Sequence, residues 1–204
     1  MIVSSGATDL ALLQHITHYI EGRWRQAGVA PGLAVLHCVS CYPAPPDQLG
    51  LAAIGRLARE LSCVIGYSDH TIGTRACVLA AALGAQILEK HFTLDRHFSD
   101  FRDHQLSSDP DELRELVTSV REVRAMLGSA DKAVRPCEAE MVHAIRRSIV
   151  AAAPLPAGHR LTFGDLMWVR PAGGLPPGRE ADVVGRVLAT PLSTGDAILP
   201  DNLE

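Results

Sequence analysis

Hydrophobic and polar positions alternate along the first part of the chain in a way that predicts four strand–helix units. Apolar residues at helical spacing predict helices at about residues 9–27, 49–61, 76–83 and 109–127, each preceded by a short apolar run of strand length. Strands that alternate with helices imply a parallel sheet, which places this part in the α/β class. Four such units are half of an eight-stranded barrel, and half a barrel leaves two unpaired sheet edges. The predicted strands begin near Ile2, Ala34, Cys63 and Ala85.

Two polar clusters follow the third and fourth predicted strands, and both contain a histidine. Gly66–Thr71 comes after one apolar run and Glu89–Phe92 after the next. The carboxyl ends of parallel strands lie on one face, so His70 and His91 are expected to approach each other although they are 21 residues apart. Two imidazoles and a nearby carboxylate are common ligands of a divalent metal, whereas a single histidine at a strand end is often only a hydrogen-bonded structural residue.

The chain changes character after residue 127. Gly128–Glu140 lacks helical periodicity and is predicted to be a polar linker. Beyond it, the pattern Leu-x-x-Gly-x-x-Leu/Ile followed by Asp/Asn-Leu occurs twice, 37 residues apart, beginning at Leu155 and at Leu192. A turn glycine, one strand residue and a capped helical turn account for each copy. A small β-rich domain is therefore predicted after the linker.

Composition excludes several classes of function. The 204 residues are 47% hydrophobic and 21% charged with a net charge of −4, which gives no basic surface for nucleic acid. No apolar run approaches the length of a membrane span, and the first residues lack the layout of a signal peptide. The five cysteines are odd in number and scattered, which favours reduced thiols in the cytoplasm. Cys38 and Cys41 have no second pair with which to form a zinc site, and are interpreted as packing residues.

Four motifs stand out at the predicted strand ends and loops: Gly66-Tyr67-Ser68-Asp69-His70-Thr71, Glu89-Lys90-His91-Phe92-Thr93, His37-Cys38-Val39-Ser40-Cys41-Tyr42-Pro43 and Asp103-His104. They resemble the motifs of the sialic acid synthase family, which includes N-acetylneuraminate, legionaminate and pseudaminate synthases. The resemblance extends over essentially the whole chain, while the family's amino-terminal half has no counterpart in it. It implies the second half of a (β/α)8 barrel at residues 1–127, a linker at 128–142 and a small SAF (antifreeze-like) domain at 143–204.

The resemblance implies a reaction as well as a fold. The family joins phosphoenolpyruvate to an N-acylhexosamine such as N-acetylmannosamine, releasing phosphate and forming a nine-carbon 2-keto sugar acid. It also implies a divalent metal, Mn²⁺ or Mg²⁺, held by His70 and His91, which would polarise the sugar aldehyde as a Lewis acid. A homodimer is implied too, in which Arg170 of the SAF domain reaches the sugar bound by the neighbouring subunit.

Positions that match the family's motifs define the remaining candidate site. Glu89 and Asp103 are the candidate catalytic residues, because a proton acceptor or donor must serve the water that attacks the oxocarbenium-like carbon. Ordinary roles stay open for them: Asp103 could stabilise only its own loop, and a strand-end serine often caps the following helix. The candidate substrate-binding residues are Ser4, Ser40 and Ser68 for phosphoenolpyruvate, and Tyr42 and Arg170 for the sugar.

The residues that the chain lacks leave two hypotheses open. In the family, the lysines that neutralise the phosphate come from the first half of the barrel, and neither Lys90 nor Lys132 matches those positions. One hypothesis is a sialic acid-type synthase whose sequence is truncated here, or whose first half-barrel comes from another chain or a second copy. The other hypothesis is a non-catalytic remnant or a sugar-binding accessory protein.

Overall fold

Four parallel strands form the central sheet, and their order in the sheet, β1-β2-β3-β4, follows their order in the chain. Each strand is paired with the next, and helices follow the strands along the chain. This is the half-barrel of four strand–helix units that the hydrophobic pattern predicts. The strands are β1 (Ile2–Ser4), β2 (Ala34–Cys38), β3 (Val64–Asp69) and β4 (Leu88–Lys90).

The computed structural model describes residues 1–204, which divide into two units. The N-terminal unit comprises Met1–Ala130 and the C-terminal unit comprises Asp131–Glu204, and each has its own hydrophobic core. No helix of either unit is both long enough and apolar enough to cross a membrane. The α-helices are α1 (Leu10–Gln26), α2 (Ala53–Glu60), α3 (Arg75–Ala82), α4 (Arg102–Leu106), α5 (Pro110–Leu127) and α6 (Ala139–Ile145).

Aspartate caps fix the starts of the two long helices. The Asp9 carboxylate accepts a hydrogen bond of 2.8 Å from the Leu12 amide at the start of α1. Asp109 accepts hydrogen bonds of 3.0 and 2.9 Å from the Asp111 and Glu112 amides at the start of α5. These side chains satisfy amides that have no partner within the helix. Both helices therefore begin where the sequence predicts.

The two central strands lie further along the chain than predicted. The third apolar run predicts a strand that ends at Ile65, but β3 continues to Asp69; similarly, β4 begins at Leu88, where its apolar run ends. The reason is that β3 pairs with β2 on one side and with β4 on the other. These backbone hydrogen bonds keep the polar residues at the end of β3 in strand conformation. The motif predicted as a loop after the third strand is therefore largely strand.

Side chains of the sheet alternate between two faces, as they must in a pleated strand. Val35, Ile65 and Tyr67 face the helices and form the core of the N-terminal unit with residues of α1, α2, α3 and α5. The alternate positions, including Leu36 and Gly66, point to the opposite face, which we call the inner face. Polar residues at the carboxyl end of the inner face continue this alternation, and they form the candidate site.

Two segments predicted to lack helix contain short ones. The loop predicted from Arg96 to Ser108 includes α4, and the predicted linker Gly128–Glu140 runs into α6. Ahead of α6, the Glu138 carboxylate accepts a hydrogen bond of 2.7 Å from the Arg135 amide and caps a 3-10 turn that begins with Pro136. These helices have five and seven residues, too few to show a clear periodicity in the sequence.

The C-terminal unit is a small β-rich domain built around the predicted repeat. Strands β5 (Ser148–Ala151) and β6 (Leu166–Val169) pair antiparallel. Leu155 and Leu192, the first residues of the two repeats, are bridged by reciprocal backbone hydrogen bonds of 2.8 and 2.9 Å. Each repeat has a glycine with positive φ and then a capped 3-10 turn. The glycines are Gly158 and Gly195, and the turns are Phe163–Asp165 and Pro200–Asn202.

Asp165 makes the stability of the C-terminal unit depend on pH. A hydrogen bond from His159, at 3.0 Å, and two from Thr162 lower the pKa of Asp165 from 3.8 to about 2. A carboxyl group with a depressed pKa stabilises the fold above its unfolded pKa and loses that contribution as the pH falls through the folded pKa. The contribution of Asp165 is therefore complete above about pH 4 and disappears towards about pH 2.

Asp165→Asn is expected to lower the free energy of unfolding by about 1 kcal/mol at neutral pH, because solvent screens part of the interaction. The loss should shrink as the pH approaches 2, where the wild-type carboxylate is itself protonated. Urea unfolding followed across this range measures the difference. Asp201→Asn, at an exposed carboxylate, is the matched control and should change little. A loss for Asp165→Asn that does not vary with pH would contradict the assignment.

Candidate functional site

His70 and His91 converge at the carboxyl end of the inner face. His70 directly follows β3 and His91 directly follows β4, and the register that pairs Ser68 with Glu89 places the two histidines side by side. Their ring centroids lie 5.4 Å apart, with the ring planes at 70° to each other. Residues 21 positions apart in the chain therefore share one site, as the strand-end spacing predicts.

Tyr42 joins the two histidines as a third ring. Its centroid is 4.0 Å from that of His70 and 5.9 Å from that of His91. The guanidinium of Arg102 lies over the Tyr42 ring, with its Cζ 5.0 Å from the ring centroid, a distance typical of a cation–π contact. Burial, with Cys38 and Asp103 nearby, raises the pKa of Tyr42, so its hydroxyl stays neutral and can donate a hydrogen bond.

The hydrogen bond of His70 fixes which of its nitrogens faces the site. Its Nδ1 lies 2.8 Å from the carbonyl oxygen of Val39, which can only accept, so Nδ1 carries the proton. The Nε2 of a neutral ring then keeps its lone pair. A histidine that donates one N–H to a backbone carbonyl while offering the other nitrogen is the usual arrangement of a metal ligand. His91 has its Nδ1 3.8 Å from a carboxylate oxygen of Asp103.

The histidine pair fits a divalent metal only in part. The two rings are close together and one of them is oriented by a backbone carbonyl, as a metal site requires. However, no three His, Cys, Asp or Glu side chains are grouped so that they could hold a metal ion. The protein thus offers two nitrogen ligands, and water or substrate would have to occupy the remaining coordination positions of a metal. Such open positions suit a catalytic metal better than a structural one.

Ser68 and Glu89, predicted to have separate roles, contact each other directly. They lie opposite each other on β3 and β4, and the Ser68 hydroxyl donates a hydrogen bond of 2.6 Å to the Glu89 carboxylate. Ser68 is buried and Glu89 is exposed, so the carboxylate is open to solvent while the serine holds it in place. A carboxylate held in this way, two residues before His91, can accept a proton from a bound water.

The other predicted site residues are Ser40, Ser4, Arg170 and Asp103. Ser40 is exposed and approaches Gly6, where a Cβ would lie 2.0 Å from the Ser40 hydroxyl oxygen. Ser4 ends β1, the strand at the edge of the sheet. Arg170 is exposed and follows β6 in the C-terminal unit. Asp103 is near His91, on α4.

A buried ion pair beneath the site was missed by the sequence analysis. The Lys90 ammonium lies 2.9 Å from the Asp69 carboxylate, with side chains 3% and 0% exposed respectively. Both residues alternate with the histidines along their strands, so they point away from the inner face. The available signal was their position, since each immediately precedes one of the two histidines. Because its ammonium is buried on the opposite face, Lys90 cannot bind a phosphate on the inner face.

Comparison with protein families accounts for most of the chain. The model of the NeuB family matches residues 1–132, and the model of the SAF domain matches residues 146–204. The chain belongs to the NeuB family. This confirms the resemblance to sialic acid synthases on which the motif analysis rests, and it accounts for a half-barrel followed by a small β-rich domain.

The relatives of this NeuB-family chain include a synthase of diacetyllegionaminic acid and one of N-acetylneuraminate 9-phosphate. The N,N'-diacetyllegionaminic acid synthase of Legionella pneumophila is 34% identical over 204 residues, which are 100% of the chain and 57% of the relative. The N-acetylneuraminate-9-phosphate synthase of Mus musculus is 32% identical over 207 residues, 100% of the chain and 55% of the relative. A crystal structure from Chromobacterium violaceum, assigned to spore coat polysaccharide biosynthesis, matches with a TM-score of 0.76 and 27% identity, covering 100% of the chain and 60% of that protein. The chain thus spans less than two thirds of each.

Proposed function

We propose that the chain forms part of a sialic acid-type synthase, which condenses phosphoenolpyruvate with an N-acylhexosamine to a nine-carbon 2-keto sugar acid. The observation that carries the proposal is the convergence of His70, His91 and Tyr42 at the carboxyl end of the sheet. Synthases of legionaminic acid and of N-acetylneuraminate 9-phosphate among the relatives support this class of reaction. N-acetylmannosamine is the simplest sugar of this kind with which to begin a test.

His70 and His91 would hold a divalent cation, Mn²⁺ or Mg²⁺. When bound, such a cation supplies Lewis-acid polarisation of the sugar aldehyde. The chain's own groups would do the rest. Tyr42 can donate its hydroxyl proton to a sugar oxygen, because its raised pKa keeps the phenol neutral. Glu89, held by Ser68, and Asp103, beside His91, are the two carboxylates placed to accept or return a proton.

The phosphate of phosphoenolpyruvate sets a further requirement. Its negative charges must be neutralised by cationic groups or by hydrogen-bond donors aimed at them. Around the two histidines the carboxylates of Glu89 and Asp103 add negative charge. The Arg102 guanidinium is already engaged by the Tyr42 ring and, at 3.8 Å, by the Asp103 carboxylate, and Lys90 is buried on the other side of the sheet in its pair with Asp69. Ser4, Ser40 and Ser68 would contribute hydroxyl donors but no charge. We therefore propose that the positive charge at the phosphate comes from outside these 204 residues.

The chain alone is accordingly expected to show no synthase turnover. Phosphate release from phosphoenolpyruvate, in the presence of N-acetylmannosamine and Mn²⁺, measures this directly. A fusion with the part of the Legionella relative that precedes the matched region should restore release, and His91→Ala in the fusion should abolish it again. Robust turnover by the unfused chain would contradict the inferred need for charge from outside it.

A sugar-binding accessory protein is the second candidate. The burial of Lys90 favours it for the chain by itself, because an aldehyde sugar needs no phosphate site. The fusion separates the two candidates. If it folds, binds Mn²⁺ and still releases no phosphate, the synthase proposal is wrong, and calorimetric binding of N-acetylmannosamine would support the accessory role.

The homodimer and the role of Arg170 remain proposals. Arg170 is exposed at the end of β6, so its guanidinium is free to meet an anionic or amide-bearing sugar. We propose that it does so at the site of a neighbouring subunit in the complete enzyme. Arg170→Ala should then raise the KM for the sugar while leaving Mn²⁺ binding unchanged.

A further inference from the structure

The pair formed by Asp69 and Lys90 is the most deeply buried charged group beside the candidate site. It lies on the face of the sheet that packs against the helices, and it points away from His70 and His91. Asp69 is 0% exposed and accepts hydrogen bonds from Lys90 at 2.9 Å and from the Tyr67 hydroxyl at 3.1 Å. Charged groups are seldom buried unless they are paired and hydrogen-bonded in this way.

Asp69 and Lys90 also form hydrogen bonds with Thr71, the residue that follows His70. Asp69 accepts hydrogen bonds from the Thr71 amide at 2.9 Å and from the Thr71 hydroxyl at 3.1 Å. The Lys90 ammonium donates a second hydrogen bond, of 2.6 Å, to the Thr71 carbonyl oxygen. Both chain neighbours of His70, Asp69 and Thr71, are therefore fixed by one polar cluster.

The same cluster includes a chain neighbour of the second histidine. Lys90 immediately precedes His91, and it is bonded to the residues on both sides of His70. The ion pair thus ties the end of β3 to the end of β4 at the positions next to the two imidazoles. Rotation or slippage of either strand end would break several of these bonds at once, and it would also change the separation of the rings.

We propose that the Asp69–Lys90 pair is a positioning element that sets the separation and orientation of His70 and His91. The proposal rests on the proposed function only in taking the two histidines as the functional pair. A well-packed apolar pair could hold the sheet together equally well, since replacing a buried ion pair by apolar residues is often neutral for stability. The directional hydrogen bonds to Thr71 are what an apolar pair cannot supply, and they fix geometry.

Nuclear magnetic resonance of the 204-residue chain tests this without relying on activity or on a metal. Two rings with centroids 5.4 Å apart have facing protons close enough for a nuclear Overhauser cross-peak between His70 and His91. The decisive variant replaces both charges together, Asp69→Leu with Lys90→Met. We expect it to unfold at a lower urea concentration than wild type, because Tyr67 and Thr71 lose buried hydrogen-bond partners, but to remain folded in water and to lose the cross-peak.

Mn²⁺ gives a second readout on the same samples. The paramagnetic ion should broaden the ring resonances of both histidines in the wild-type chain, and the double variant should need about 10-fold more Mn²⁺ or greater for the same broadening. Tyr67→Phe is the matched control. It removes one hydrogen bond to Asp69 but leaves the ion pair and both bonds to the Thr71 backbone, so the cross-peak should remain.

A folded double variant that keeps the cross-peak would overturn the positioning role, whatever its metal affinity. If the double variant does not fold, Asp69→Asn decides instead: the cross-peak should weaken there, and its full retention would equally overturn the proposal. Failure of the proposed function has a different signature. An unaltered chain that shows the cross-peak but no broadening by Mn²⁺ would contradict metal binding and leave the positioning role intact.

Discussion

Gly66→Ala is expected to lower the free energy of unfolding of the N-terminal unit by about 3 kcal/mol, at the upper end of the usual cost of overpacking. Gly66 lies in the middle of β3 on the inner face. A Cβ there would lie 2.4 Å from Cδ2 of Leu36, 2.6 Å from the carbonyl oxygen of Ile87 and 2.9 Å from its Cβ. The leucine can rotate away, but the Ile87 carbonyl already accepts a hydrogen bond of 2.8 Å from the Tyr67 amide.

Relief of the clash would therefore disturb the pairing of β3 with the segment that leads into β4. His70 and His91 directly follow β3 and β4, so a change in the pairing of these strands would also move the two histidines. The variant should therefore lose Mn²⁺ binding as well as stability. Gly22→Ala is the matched control, since Gly22 lies within α1 and nothing approaches its Cβ position within 4 Å. The same substitution there should stabilise the helix by about 1 kcal/mol. Urea unfolding of both variants measures the two changes, and equal effects would refute the packing argument.

The periodic parts of the fold were predictable from the sequence. Apolar spacing located the long helices, and the aspartates at positions 9 and 109 marked their first turns because a carboxylate can satisfy free helical amides. The repeat at Leu155 and Leu192 located the C-terminal unit for a similar reason, since a turn glycine and a capped turn have local signatures. Strand-end spacing also brought His70 and His91 together, because the ends of parallel strands share one face.

The extent of the two central strands could not be predicted from local pattern. Asp69 and Lys90 are strand residues although strands disfavour both, because each is buried against a partner 21 residues away. Apart from the position of each residue next to a histidine, a pairing of this range has no signature in the local sequence. The contact of Arg102 with Tyr42 was unpredictable on similar grounds, since it depends on the path of the loop that contains α4.

Removal of either histidine is expected to have the largest effect on the site. His70→Ala or His91→Ala should weaken binding of Mn²⁺ to the chain by about 100-fold or more, because the site offers only two side-chain ligands and loses half of them. Titration followed by the paramagnetic resonance of free Mn²⁺ measures the affinity. His70→Ala should lose slightly more, since the Val39 carbonyl orients the ring of His70 while the nearest partner of His91 is a carboxylate 3.8 Å away.

The fold itself should survive both substitutions better than it survives Gly66→Ala. His70 is buried but makes one side-chain hydrogen bond to a backbone carbonyl, and the backbone bonds of its neighbours do not depend on the ring. His18→Ala, at an exposed position on α1, removes an imidazole elsewhere and should leave Mn²⁺ affinity unchanged. Asp103→Asn should also keep most of the affinity, because Asp103 lies near His91 without completing a group of three ligands. Wild-type affinity in His91→Ala would show that the two imidazoles do not share one cation.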